Sequence, residues 1–353
     1  MRTLSRFAAL LFVCGLAVTA GCASEPRAPV PMAPADPEGD LRALLKKADR
    51  AFDSRAYDEA EDRYKAVYLA AKTGNFAAIV AESSAQVATI TALGEDLRES
   101  DDWMGVAESA GSPGAISGWT RVLLARGVRD WKRSNNARAR GSFIELYNYC
   151  ALHDLIVRQI QAANLAAVAS VGQEQLDWSL RAIQAAQASG ESKWEAPLWS
   201  SHAWLLDDRG QYDDALRAFS RARELTADAD VTPIARLQTD WALAHGLRQV
   251  GRLDEARRLL ERTNSIAQSI YISNPTPRAA EHLGRILWEL AEVEALEGRK
   301  EKARELYAAA RAKLVEAGAM KAAPEVLREL DTCIERLDRP VPPGFIPPRK
   351  RNG

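Results

Sequence analysis

Residue types that could carry catalysis or hold a metal are few in this chain, and their spacing suits neither role. Four histidines occur, at positions 153, 202, 245 and 282. None lies in a His-Glu-x-x-His arrangement or in a Cys/His cluster with metal-ligand spacing. No Gly-x-Ser-x-Gly elbow or Ser-x-x-Lys motif offers a nucleophile. The sequence therefore predicts a protein that is not an enzyme and that needs neither a metal nor a cofactor.

Adjacent carboxylates and one glycine-rich loop are better explained by structure than by chemistry. The pairs Asp101-Asp102 and Asp207-Asp208 are expected at helix ends or turns, where they would act as caps or as solvated charge. The loop 111–118 (GSPGAISG) lacks the Gly-Lys-Ser/Thr of a phosphate loop, and no strand precedes it. We interpret it as a flexible joint that separates a first subdomain, residues 41–110, from a main body, residues 115–318.

Composition is that of a folded, mostly helical chain without a charge bias. The 353 residues include 47 Lys and Arg against 48 Asp and Glu, so the net charge gives no reason to expect a nucleic-acid partner. Alternating runs of Val, Ile and Thr, which would predict strands, are scarce. The elements that position any functional residue are therefore expected to be helices.

The amino-terminal residues form a targeting segment. Arg2 and Arg6 precede an apolar run, residues 7–19, that is too short for a mature transmembrane helix. The run ends in VTAGC, residues 18–22, which resembles the bacterial lipobox. That resemblance implies a lipoprotein signal peptide, residues 1–21, and lipidation of Cys22. An ordinary secretory signal that is cut nearby is the alternative.

The lipid would place the chain in the bacterial cell envelope. Residues 22–40 would then be the lipid anchor and a Pro-rich tether. Because no Asp follows Cys22, the enterobacterial sorting pattern favours the outer membrane, facing the periplasm. Residues 339–353 are also Pro-rich, with a basic finish, and predict a disordered tail; a short docking segment is the alternative. Cys150 and Cys333 are expected to be unpaired core thiols.

A small residue recurs with a period of about 40 residues. Ala60 and Ala303, the outermost pair, are 243 residues apart, which is six periods of 40.5. A bulky apolar residue follows each small one by four positions, and another small residue precedes it by twelve. Such spacings put one apolar stripe on each of two helices. The recurring small residues are Ala60, Ser100, Ala139, Ser179, Ala215, Ala256 and Ala303.

This pattern resembles the tetratricopeptide (TPR) repeat, most closely in residues 199–226, where Trp, Ala, Ala and Phe follow in the repeat's order. The resemblance implies an all-α, right-handed α-solenoid of about seven antiparallel helix pairs, because one pair cannot bury its own faces. A capping helix, 324–337 within residues 319–338, would close the stack. Pro197, Pro233 and Pro277 suit the first turn of a helix. The predicted pairs span residues 41–75, 76–110, 115–151, 155–189, 197–227, 233–271 and 277–318.

The TPR resemblance also nominates a binding groove, since the first helix of each pair lines the concave side in that class. Aromatic, Arg and Asn side chains there suit an extended peptide or a partner helix. The alternative is that the tryptophans are core, as Trp199 is expected to be. We expect an envelope scaffold or adaptor that binds proteins, or alternatively a binder of small molecules or cell-wall glycans. The groove candidates are Trp131, Asn164, Trp204, Trp241, His245, Arg248 and Trp288.

Overall fold

The computed structural model describes residues 36–54, 56–190, 192–227 and 231–338. Regular structure in these residues consists of helices, with no strand among them. They form two compact units, which divide at residue 191. The signal peptide, Cys22, most of the tether and the segment 339–353 lie outside the described residues, so their predicted roles stay predictions.

The first unit, residues 36–190, contains eight helices. Each helix packs against the next one along the chain, with short turns between them. The helices are α1 Pro37–Asp53, α2 Tyr57–Thr73, α3 Ala77–Leu93, α4 Leu97–Ala110, α5 Ile116–Lys132, α6 Asn136–Leu152, α7 Ile156–Ala169 and α8 Gln173–Ser189. They make four consecutive pairs that match the predicted pairs to within a few residues.

The second unit, residues 192–338, contains three further pairs and closes with two single helices. Its last long helix matches the predicted capping helix and packs on the preceding pair. The helices are α9 Ser192–Asp207, α10 Tyr212–Ala227, α11 Pro233–Gln249, α12 Leu253–Ser273, α13 Pro277–Leu296, α14 Lys300–Glu316, α15 Ala319–Ala322 and α16 Pro324–Asp338. The predicted all-α solenoid of TPR-like helix pairs is confirmed.

The periodic small residues form the contacts between paired helices. All seven are buried, and so are the seven bulky residues that follow them by four positions. Gly127 of α5 shows how close the approach is, because a Cβ atom there would lie 2.3 Å from the ring of Phe143 on α6. Helices at such distances bury their apolar stripes against each other, which is the main source of stability in a repeat protein.

Two predicted boundaries need correction. Pro197 does not open its helix, since α9 already begins at Ser192. A proline at this position removes one backbone hydrogen bond and crowds the carbonyl group four residues earlier, and the helix continues through it in its second turn. The predicted tether is also too long, because α1 begins at Pro37, where the Asp36 side chain accepts from Gly39 N at 3.0 Å.

The other two prolines occupy the expected place. Pro233 and Pro277 are the first residues of α11 and α13. The hydroxyl groups of Thr232 and Thr276 cap these helices and accept from backbone amides at 3.3 and 3.2 Å. Both threonines are therefore the N-caps of their helices.

The glycine-rich loop 111–118 does not divide the compact units. Helices α3 and α5, on either side of it, pack closely. A Cβ atom at Gly118 would lie 3.3 Å from the backbone oxygen of Ala78. The glycine thus permits a tight helix contact, and the observed division at residue 191 differs from the predicted one.

Within the described residues, no helix is both long and apolar enough to cross a bilayer. The same residues hold no group of three or more His, Cys, Asp or Glu placed to bind a metal. Cys150 and Cys333 are buried and unpaired.

Candidate binding cleft

Five of the seven groove candidates meet in one cleft of the second unit. Trp204 comes from α9; Trp241, His245 and Arg248 come from α11; Trp288 comes from α13. The cleft has an empty volume of about 550 Å³, counting the part that opens to solvent. Its remaining lining residues are Arg285, Glu289, Glu292, Glu329, Cys333 and Arg336.

The other two candidates do not belong to this cleft. Trp131 on α5 and Asn164 on α7 are half-buried residues of the first unit. In the second unit, the first helices of three successive pairs form this local cleft. The final helix α16 supplies the remaining wall, through Glu329, Cys333 and Arg336.

Aromatic rings form the floor of the cleft. The ring centroid of Trp204 lies 5.3 Å from that of Trp241 and 4.7 Å from that of His245. Trp204 and Trp288 are only 5% and 7% exposed, so most of their surface packs as core, as the alternative anticipated. Trp241 is half-buried, and the Arg285 guanidinium lies 5.9 Å from its ring centroid. Trp241 is therefore the indole that a ligand can reach.

Beneath the rings lies a buried ionic network that joins three helices. The two ring nitrogens of His245 lie 3.2 Å from Glu289 Oε2 on α13 and 3.2 Å from Asp207 Oδ2 on α9. Arg248 donates from Nε to Glu289. Gln249 lies 3.3 Å from His245 Nε2. Each charged group thus has an opposite charge within contact distance, which buried charges require.

Two opposing effects set the pKa values of this network: burial disfavours the charged form of each group, and an oppositely charged neighbour favours it. Burial alone would raise the pKa of Glu289, but Arg248 and His245 outweigh it and hold that pKa at about 2. Burial would likewise lower the pKa of His245, yet Glu289 and Asp207 raise it above its ordinary value. The network is therefore held as a carboxylate beside a guanidinium and an imidazole that favours its protonated form.

The cysteine of the cleft is not activated. Burial first, and then the nearby Glu292 carboxylate, raise the pKa of the Cys333 thiol to about 12. The thiol also accepts a hydrogen bond from Arg336 at 2.7 Å. A thiol with so high a pKa contributes packing rather than nucleophilic chemistry.

A second polar network, which the sequence analysis missed, lies in the first unit. Arg121 on α5 donates two hydrogen bonds, of 2.7 and 2.8 Å, to the carboxylate of Asp49 on α1. Glu82 on α3 accepts from Arg42 at 3.3 Å and lies 3.5 Å from Arg121 Nε. The Tyr64 hydroxyl donates to Asp49 at 2.6 Å.

The sequence did contain a signal for this network. The same repeat position holds charged residues of alternating sign in the first three pairs: Arg42, Glu82 and Arg121. Each lies six residues before the small residue of its first helix, which is Ala48, Ala88 or Gly127. Arg285 of the cleft stands at the same repeat position, six residues before Ala291. No such signal existed for Glu329 or Arg336, because α16 lies outside the repeat pattern.

Fold and cleft together define the class: a helical-repeat protein of the TPR type whose first helices form an aromatic cleft with charged walls. No family model matches the chain, and no curated protein matches it. Among solved structures it is similar to the apo form of RapI, with a TM-score of 0.62, 11% identity, and 84% of each chain covered.

Two further structures show the same likeness. One is a Rap protein complexed with Competence and Sporulation Factor, with a TM-score of 0.53, 12% identity and coverage of 85% of this chain and 87% of that one. The other is PH0952 from Pyrococcus horikoshii, a STAND protein with a tetratricopeptide repeat sensor, with a TM-score of 0.59 and 12% identity. This chain covers only 44% of PH0952, and 84% of this chain is covered. At these identities the likeness concerns the fold alone.

Proposed function

We propose that this chain is a protein-interaction scaffold that binds a peptide or a partner segment in the cleft of its second unit. The observation that carries the proposal is the accessible face of Trp241, set between Arg285 and the buried network of His245, Arg248 and Glu289. Half-buried aromatic and arginine side chains in a desolvated pocket are typical centres of protein interfaces. The Rap protein that is similar in fold binds Competence and Sporulation Factor.

The buried network makes the cleft rigid before a partner arrives. His245 and Arg248 are 4% and 7% exposed, and each is held by a carboxylate from another helix. A cleft whose walls are already ordered loses little conformational entropy on binding. The partner would meet the outer groups, Trp241, Arg285 and Glu292, while the network keeps them in position.

A non-enzymatic role fits the same geometry. Both ring nitrogens of His245 face carboxylates, which makes the imidazole unsuited to act as a free general base. The raised pKa of Cys333 keeps its sulfur protonated near neutral pH. The cleft therefore presents surface and charge rather than an activated group.

The test is affinity purification from cross-linked membranes with a matched pair of variants. Trp241→Ala removes the accessible indole of the cleft. Trp119→Ala is the control, since Trp119 is also half-buried and has an arginine, Arg126, 5.8 Å from its ring, but it lies in the first unit. We expect a specific protein to be captured by the wild type and the control and lost with Trp241→Ala. Equal capture by both variants would refute the proposal.

We further propose that the scaffold is an envelope lipoprotein that is anchored through lipid on Cys22 and is sorted to the outer membrane, because no Asp follows the cysteine. Support comes from the lipobox-like sequence VTAGC and the Pro-rich residues that follow it. Cys22→Ser should move the protein from the membrane fraction to the soluble fraction of lysed cells. A variant that still sediments with membranes after a high-salt wash would contradict the lipid anchor.

A small molecule or cell-wall glycan is the second candidate ligand, favoured by the indole rings that line the cleft. Flat sugar faces pack on such rings, and ligand sites are commonly lined by aromatic side chains with a few polar groups. Titration with soluble cell-wall fragments would then change the tryptophan fluorescence of the wild type but not of Trp241→Ala. Protein capture that depends on Trp241, without any response to fragments, would favour the scaffold.

A further inference from the structure

The last helix brings the chain directly to the cleft. Glu329, Cys333 and Arg336 of α16 line it, and α16 ends at Asp338, two residues beyond Arg336. Residues 339–353, which lie outside the described part of the chain, continue from this point. Any segment attached there is held near the cleft at a high effective concentration, in the millimolar range for a short connection.

The composition of residues 339–353 suits an aromatic cleft. The sequence RPVPPGFIPPRKRNG contains five prolines, no Asp or Glu side chain, and one pair of large apolar residues, Phe345-Ile346. Pro-rich segments bind aromatic-lined grooves because their extended conformation is already restricted, so little entropy is lost on binding. The cleft offers Trp241 as its accessible ring, with Trp204 and Trp288 beneath it.

We propose that residues 339–353 are an internal ligand of this cleft, which they occupy until a partner displaces them. The inference rests on the proposed function, since it assigns a resting occupant to the same site. At about 3.1 Å per residue, fifteen extended residues can reach roughly 45 Å from Asp338. Phe345-Ile346 lies seven residues beyond Asp338, which leaves about 20 Å of chain to return to Trp241.

Electrostatic attraction makes a smaller contribution to the binding of residues 339–353 in the cleft. Arg248 is paired with Glu289, and Arg285 with Glu281, so two of the three lining arginines already have counterions. Glu292 accepts hydrogen bonds from the Tyr307 hydroxyl at 2.7 Å and from the Cys333 thiol, and it forms no ion pair within the described residues. It is thus a partner for the segment's cations. The positive charge of Arg336 offsets part of the negative charge of Glu292. The apolar pair Phe345-Ile346 is therefore the main anchor of the segment.

Cross-linking tests the position directly. Phe345 is replaced by p-benzoylphenylalanine in the full chain, which is irradiated at low concentration and digested for mass spectrometry. We expect a monomeric product in which position 345 is joined to peptides from α11 or α13. Cross-links confined to other helices would overturn the proposal, and so would a dimeric product, because that would mean a second copy is the occupant.

Binding in trans tests the competition. The probe is a fluorescein-labelled peptide of residues 339–353. If the internal segment occupies the cleft for roughly 90% of the time, the double variant Phe345→Ala/Ile346→Ala should bind the probe about tenfold more tightly than the wild type. The control Ile272→Ala removes a 78% exposed apolar side chain on α12 and should match the wild type. Equal affinities for all three proteins would overturn the inference.

The two proposals can fail separately. Introducing Trp241→Ala into the double variant should abolish probe binding if the cleft is the site. Partner capture that depends on Trp241, together with no probe binding, would overturn the internal ligand and leave the scaffold intact. Probe binding that depends on Trp241, without any captured partner, would support the internal ligand and count against the scaffold.

Discussion

His245 holds three helices of the second unit together with one side chain. It belongs to α11, and its two ring nitrogens lie 3.2 Å from carboxylates on α9 and α13. The Glu289 carboxylate contacts both the His245 imidazole and the Arg248 guanidinium, so the network depends on this acid. Removing one member of a buried ionic group is costly because the remaining charges stay buried without counterions.

Glu289→Gln should therefore destabilise the protein by about 3–5 kcal/mol, since Arg248 loses its closest carboxylate. The matched control is Glu255→Gln, which breaks the ion pair with Arg252 in which both side chains are 44% exposed. That exposed pair is expected to contribute roughly 1 kcal/mol or less. Urea unfolding followed by circular dichroism measures both. Similar losses for the two variants would contradict a buried network.

The stability contributed by His245 should depend on pH in a defined direction. Because folding raises the pKa of His245, its contribution is complete below the unfolded value of about 6.5 and is lost as pH rises through the folded pKa. Glu289 acts oppositely: its contribution is present above an unfolded pKa of about 4.3 and is lost as pH falls toward about 2.

The measurement compares the wild type with His245→Gln. The wild type should exceed the variant in free energy of unfolding by the most between about pH 4.5 and 6.5, and the difference should shrink by about pH 9. Arg248, Gln249, Asp207 and Glu289 are the polar and charged groups that contact this ring. A difference that stays constant from about pH 6 to 9 would show that His245 does not carry a proton there.

The sequence indicated the positions of His245 and Arg248 but not their partners. Repeat spacing tells which face of a helix a residue occupies, and that placed Trp204, Trp241 and Trp288 in one cleft. Spacing does not tell which side chain of the next helix comes within hydrogen-bond distance. Glu289 could not be chosen over its acidic neighbours before the helices were packed.

At the scale of the elements, the small residue at the contact sets the distance between two paired helices. Gly127 and Gly141 lie in adjacent helices of one pair, α5 and α6, but in opposite surroundings. A Cβ atom at Gly127 would lie 2.3 Å from Phe143, which is 1% exposed, whereas one at Gly141 would have no heavy atom within 4 Å. The same substitution should therefore have opposite effects at the two positions.

Gly127→Ala is expected to cost about 1–3 kcal/mol, because the buried ring of Phe143 cannot yield without shifting a helix. Gly141→Ala should raise stability by about 0.5–1 kcal/mol, since alanine loses less backbone entropy on forming a helix. Thermal melting of the two variants beside the wild type gives the comparison. A lower melting temperature for Gly141→Ala would mean that its helix face is not free.

The helix pairs were predictable because seven copies of one pattern reinforce each other. The start of α9 was not, because Pro197 suits a first turn equally well by composition. Four turn residues of the first unit, Asn75, Glu95, Ser134 and Asp154, adopt left-handed backbone conformations without being glycine. Asn, Ser and Asp are common turn formers, and Gly74 and Gly94 precede Asn75 and Glu95, but at these four turns the left-handed residue is not a glycine, as it is at Gly210, Gly251 and Gly298.

At the scale of the whole molecule, the first unit is stabilised by contacts between helix pairs that are not adjacent in the sequence. Arg121 and Asp49 are 72 residues apart and join α5 to α1, and the Arg121 side chain is only 7% exposed. Repeat proteins are usually stabilised by neighbours alone. The first unit departs from that rule, since its first and third pairs are bonded directly.

Arg121→Gln should loosen α1 selectively. The loss of a double hydrogen bond between charged groups is worth about 1.5–3 kcal/mol, which corresponds to roughly tenfold faster amide exchange or more wherever opening of α1 governs exchange. The control is Arg126→Gln, since Arg126 lies on the same helix as Arg121 but forms a more exposed pair, with Glu108 of α4. Hydrogen exchange followed by mass spectrometry over residues 37–53 gives the readout. Unchanged exchange in α1 would show that the Arg121–Asp49 pair is not a restraint.

The charges of Arg42, Glu82 and Arg121 also limit how this chain can be shortened or recombined. Glu82 and Arg121 occupy the same place in consecutive repeats, and Glu82 meets Arg42. Excision of residues 77–110 would set Arg121 in the place of Glu82, so two guanidinium groups would face each other where an ion pair had been. The apolar pattern would still match after such a deletion, but the charges would not. The ion pairs of the first unit therefore disfavour deletion of its second helix pair, even though that deletion would preserve the hydrophobic spacing.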